Sequence, residues 1–108
     1  RSVAFDGHTL VVKAAFWTRR TPVGELDLDG ARIVNLAERT ELRPLLRMNG
    51  YSLPGFHAGH YRLRNTQKAF ALLTARDPVL AVPERGGTLL LLSLERPQRL
   101  LDALVSAR

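Results

Sequence analysis

Residues 79–105 read VLAVPERGGTLLLLSLERPQRLLDALV, and this stretch decides the fold. Val79 to Val82 and Thr88 to Leu92 are apolar runs on either side of Glu84-Arg85-Gly86-Gly87, which predicts a β-hairpin. The run Leu89 to Leu92 does not alternate with polar residues, so both faces of that strand must be covered. A helix follows at once. Pro97 suits a first helical turn, and Leu100, Leu101, Leu104 and Val105 fall on one stripe, with Arg99 and Asp102 away from it. The stripe is expected to lie on the sheet as one of its covers.

Working outward, the remaining segments read as more short strands. Val3 to Phe5 and His8 to Lys13 flank Asp6-Gly7, a turn pair that supplies positive φ. Phe16-Trp17, Arg19-Arg20, Pro22 and Gly24 follow; Glu25 to Gly30 reads as an exit turn and Arg32 to Leu36 as another strand. Tyr61 to Leu63 should pair with Ala69 to Leu73 around a Thr66-Gln67 tip. Matching large apolar residues then predicts Leu63 opposite Phe70 and Tyr61 opposite Leu72. That register stands Arg62 over Ala71 and Arg64 over Ala69 on an open surface. Between these segments, Leu42 to Asn65 contains Gly50, Gly55 and Gly59, with Pro54-Gly55 as a type II turn pair. It reads as a connection that wraps a corner and leads into an exposed strand. The tally is about seven strands and then one helix, with no internal repeat and no βαβ alternation. That order excludes a doubly wound sheet and predicts a mainly β domain over residues 1–108, an antiparallel sandwich or barrel capped by the C-terminal helix.

A chain of 108 residues can bury a core without staples, and the lack of cysteine excludes disulfides and thiolate metal sites. No apolar run approaches the roughly 20 residues of a membrane helix. The chain opens on Arg1 with no signal-like segment, which predicts a domain excised from a longer protein. The net charge of +6 is concentrated: residues 39–68 hold Arg39, Arg43, Arg47, Arg62, Arg64 and Lys68 against Glu41 alone. Such a segment either attracts anionic partners or is an ordinary solvated face.

The residues for chemistry are sparse. His57 and His60 stand three apart, but Gly55 and Gly59 argue against a helix that would aim both at one metal. In an extended segment they point to opposite faces. Ser2, Ser52, Ser93 and Ser106 lack a nucleophile-elbow pattern, and no paired carboxylates or phosphate loop is present. The expectation is no catalysis, no cofactor, no metal and no small-molecule substrate. Phe16 and Trp17 read as packing residues, and only Tyr61-Arg62 interleaves an aromatic with a base, which disfavours nucleic acid as a partner.

Leu42-Arg43, Asn49-Gly50-Tyr51, Pro54-Gly55-Phe56, Gly59 and Tyr61-Arg62-Leu63 stand in order ahead of Ala69 to Thr74, Val79 to Val82, Leu91-Leu92-Ser93 and the helix from Pro97. This pattern resembles the bacterial pleckstrin-homology (PH) domain family, over nearly the whole chain. The resemblance implies two nearly orthogonal antiparallel sheets closed by a C-terminal helix, and a domain that adjoins membrane segments. It does not carry phosphoinositide binding with it. The basic pattern that supports such binding is absent from the first hairpin, whose tip is Phe5-Asp6-Gly7-His8. The expected function is a membrane-associated module for protein–protein contact or self-association. Arg43, Arg47, Arg62 and Arg64 form its anion-attracting surface, and anionic lipid is the alternative partner.

Overall fold

A computed structural model describes residues 1–108. Nine strands precede one helix: β1 (Ser2–Phe5), β2 (Thr9–Ala14), β3 (Trp17–Pro22), β4 (Arg32–Val34), β5 (Pro44–Leu53), β6 (Phe56–Leu63), β7 (Lys68–Leu73), β8 (Val79–Pro83), β9 (Leu89–Ser93) and α1 (Pro97–Ala107). The first three strands form an antiparallel meander. The other six form one sheet in the order β4-β8-β9-β7-β6-β5. The expected mainly β sandwich with a C-terminal helix is therefore present, with two more strands than the sequence tally. The larger sheet is mixed, because β7 and β9 run parallel, Ala69 beside Leu89 and Leu72 beside Leu92.

The non-alternating leucines of β9 have both faces covered. Leu90 and Leu92 join Phe70, Leu72, Leu80 and Val82 in a core that β2 closes with Leu10, Val12 and Ala14. Leu89 and Leu91 join Tyr61, Leu63, Ala69, Ala71 and Leu73 in a second core. The helix does not cover that second face. Leu104 belongs to the first core, so α1 shares a face with the small sheet. The cover on the other side is the segment between β4 and β5, which lays down Leu36 and Leu42. Of the helical stripe only Leu104 is fully buried; Leu100 and Leu101 are partly buried, and Val105 is 40 % exposed.

Two strands and one register differ from expectation. Trp17 to Pro22 pairs along β2 as an edge strand, with Arg19 opposite Val12 and Thr21 opposite Leu10. Leu42 to Asn65 is mostly a hairpin, β5 with β6, rather than a corner connection. In the next hairpin Tyr61 faces Ala69, Arg62 faces Lys68 and His60 faces Phe70. Arg62 and Arg64 thus do not stand over Ala71 and Ala69, which are buried in the second core. With both faces buried, large residues fit opposite small ones, and matching large with large gives the wrong register.

One polar contact joins the sheets. Arg19 of β3 donates from Nε to Glu84 Oε2 at 2.8 Å and also pairs through its terminal nitrogen, while the Thr21 hydroxyl donates to the same carboxylate at 2.7 Å. Glu84 directly follows β8, so the clamp ties the small sheet to the large one. Burial pushes the Glu84 carboxyl up, but the Arg19 and Thr21 hydrogen bonds outweigh it and hold the pKa below the ordinary value.

Candidate functional site

In the β5–β6 hairpin, β6 gives Ala58, Tyr61 and Leu63 to the cores, whereas β5 buries none of its side chains fully. β5 is ten residues long and forms an edge of the larger sheet, so one row of its backbone groups faces solvent. Register shifts between Pro44 and Leu46 and between Arg47 and Asn49 break its alternation. The strand shows Leu45 at 67 %, Leu46 at 57 % and Leu53 at 52 % exposure, with Met48 and Tyr51 also exposed. From Asn49 to Leu53 the pairing with β6 is regular. There Tyr51 and Leu53 share a sheet face with Ala58 and Phe56, while Gly50 and Ser52 face the other way with Gly59 and His57. Tyr51, Leu53 and Phe56 line an open groove of about 740 Å³ with Phe16, from the turn between β2 and β3, and Arg1. The Arg1 guanidinium sits 4.7 Å above the Phe56 ring.

Glycine at two positions lets this hairpin close. Gly50 and Gly59 are directly opposite, and Gly59 has φ +116°. A Cβ on Gly59 would stand 2.6 Å from the Asn49 carbonyl oxygen, and one on Gly50 would stand 2.8 Å from that of Ala58. The space serves Tyr61. Its hydroxyl donates to the Tyr51 carbonyl at 2.6 Å and accepts from the Ala58 amide at 3.1 Å. Ser52 Oγ lies 2.9 Å from that hydroxyl and 3.1 Å from His57 Nδ1.

This brings together a serine and a histidine that the sequence only spaced five apart. The Tyr61 hydroxyl donates to the Tyr51 carbonyl, and the ring nitrogen of His57 that carries the proton sets which way the Ser52 contacts run. Together the contacts lock β5 to β6. Burial, with Arg76 nearby, lowers the His57 pKa, and burial with Arg19 nearby lowers that of His60. His57 faces Tyr61 and His60 faces Phe70, so the two imidazoles lie on opposite faces of β6, as an extended segment requires.

Of the four arginines singled out by charge, two line one groove. Arg43 is half-buried and spends Nε on the Leu36 carbonyl at 2.8 Å. Arg47 is exposed on β5 opposite Tyr61. Arg62 donates to the Thr66 carbonyl at 2.7 Å on the sheet face opposite Tyr61 and Leu63. Arg64 is exposed just beyond β6, and its amide bonds to the Arg43 carbonyl. Only Arg43 and Arg64 come together, in a groove of about 290 Å³ that also takes His57, Thr74 and Arg76. Sequence reasoning passed over Arg76, which lies outside the basic segment and reaches the groove only because β7 ends there. Arg39, counted in the basic excess, is paired with Glu41 at 2.8 Å.

Comparison with protein-family models, with curated proteins and with solved structures finds no match for this chain.

Proposed function

We propose that this domain is a non-catalytic assembly module that pairs with a second copy of itself along β5. The observation that carries the reading is the ten-residue edge strand with its exposed Leu45, Leu46, Met48, Tyr51 and Leu53. An apolar edge of that length is a template for strand addition unless something covers it. A second copy suits it on grounds of charge. Arg47 is the only charged residue in β5. Antiparallel pairing about a two-fold axis at Tyr51 sets Asn49 against Leu53 of the other copy and carries each Arg47 out to the opposing Pro54-Gly55 turn. The apolar faces then continue across the axis and like charges stay apart. The resemblance to the bacterial PH family supports a membrane-associated setting for the assembly, and the exposed Arg47 and Arg64 suit an anionic surface.

Sedimentation equilibrium tests this. The wild type is expected to gain mass with concentration, and a Tyr51→Lys/Leu53→Lys variant to remain a monomer while keeping its circular dichroism. A monomeric wild type at every concentration would reject self-pairing and leave a foreign strand as the occupant of the edge.

A further inference from the structure

We propose that the groove lined by Arg43, Arg64 and Arg76 is a binding site for a phosphate monoester group. No carboxylate lines it. Elsewhere in the chain Arg19, Arg39 and Arg108 each meet an acidic partner, Glu84, Glu41 and Asp29 respectively. The side chains of Arg64 and Arg76 make no ion pair and no hydrogen bond within the chain. Three like charges gathered around one concavity repel one another, and an anion in the concavity removes that cost.

The frame around the groove is fixed. Arg43 is held by the Leu36 carbonyl through Nε at 2.8 Å and by the Ala37 carbonyl through one terminal nitrogen at 3.5 Å, which leaves its other terminal nitrogen unspent. The Arg76 backbone accepts from the Leu36 amide at 2.8 Å. Ser93 Oγ accepts from the amides of Thr74 and Ala75 and donates to the Ala75 carbonyl, which pins the turn that carries Arg76. Thr74 lines the groove beside them.

Charge and size select the ligand. A carboxylate brings one charge and two oxygens, whereas a phosphate monoester brings nearly two charges and three terminal oxygens for three forked donors. A volume of about 290 Å³ is at the lower end for ligand sites, so it suits a small phosphorylated head rather than a nucleotide. The arginines act from the loop before β5 and from the ends of β6 and β7; β5 itself gives only Pro44 and Leu45 to the lining, away from the Tyr51 axis of the proposed pairing.

The test is titration of the intact chain with inorganic phosphate and with glycerol phosphate, read from the NMR signals of His57 and the Thr74–Arg76 amides. Sodium chloride at matched ionic strength is the control. Saturable shifts with phosphate are expected, and not with chloride. Arg64→Gln/Arg76→Gln should bind at least about tenfold more weakly, as lost charge-assisted hydrogen bonds require, while Arg47→Gln/Arg62→Gln binds like the wild type. Circular dichroism checks that both variants fold. A second arm uses phosphatidylcholine vesicles with and without phosphatidic acid. Binding only to vesicles with phosphatidic acid identifies a lipid head group as the source; binding to soluble phosphate alone identifies a free monoester. Shifts that chloride reproduces, equal loss in both double variants, or no response in either arm would overturn the proposal.

Discussion

Two leucine-rich hairpins of this chain have opposite fates. In β8–β9 every residue from Leu89 to Leu92 is buried, whereas in β5–β6 Leu45, Leu46 and Leu53 are more than half exposed. Leucine alone does not separate them, since β5 opens on the pair Leu45-Leu46 much as β9 opens on its run. Their position does: β9 lies between β8 and β7, with the small sheet and α1 on one face and Leu36 and Leu42 on the other, while β5 has a neighbour on one side only. Hydrophobicity says that a residue gains from being covered. Topology decides which residues receive the cover, and what remains uncovered is surface that a partner can use.

The sharpest way to break this comparison is one substitution in each hairpin. Leu91→Ala should cost about 2–5 kcal/mol, the range for a leucine truncated inside a close-packed core. Leu46→Ala should change stability by no more than about 0.5 kcal/mol in a dilute denaturant titration. Similar costs at the two sites would mean that β5 is covered within the monomer.

Gly59→Ala tests whether β5–β6 is as tightly specified as the core despite its exposure. Positive φ and the close Asn49 carbonyl together predict a loss of about 2–3 kcal/mol. The same variant should speed hydrogen exchange first at the Asn49 to Leu53 amides, before those of β9. A neutral result would show that the hairpin shifts freely and that the Ser52–His57–Tyr61 lock is loose.

The smallest of the three effects concerns the clamp between the sheets. Glu84→Gln keeps the shape and removes the charge, and is expected to cost about 1.5–3 kcal/mol near neutral pH. A carboxyl whose folded pKa is depressed adds stability that is fully present above its unfolded pKa and is lost as pH falls through the folded one. For Glu84 the loss begins near the ordinary value of 4.5 and continues below it. The variant should therefore show a flatter acid limb than the wild type in denaturation followed against pH. Parallel limbs would mean that other carboxylates control the acid transition.

The sequence was legible where local chemistry and burial agree. Asp6-Gly7 turns the first hairpin, with Gly7 at φ +96°, and the unbroken leucines of β9 do have both faces covered. It was illegible where a pattern depends on distant residues. β5 contains Gly50, one of the three glycines that make the stretch read as a connection, yet it lies mid-strand with Gly59 opposite it. Its two register shifts erase the alternation that marks a strand. β3 carries Arg19 and Arg20 and ends on Pro22, the dress of a loop, and becomes a strand through its long pairing with β2. Of the arginine site, charge density pointed to Arg43 and Arg64 but also to Arg47 and Arg62, which do not line the groove. Arg76 joins by the ending of β7, which no local pattern announces.

The core between the sheets is drawn from both ends of the chain: Leu10, Val12 and Ala14 on one side, Leu80, Val82, Leu90, Leu92 and Leu104 on the other. During synthesis this matters. The meander of β1 to β3 can form from local contacts as soon as it leaves the ribosome, but its apolar face meets no partner until β7 has emerged and is not closed until β9 and α1 follow. For most of its translation the nascent chain therefore carries a half-built sandwich with its filling exposed. The first half of this small domain is the segment that a holdase would be expected to shield, and the emergence of β9 and α1 marks the moment at which the fold can close.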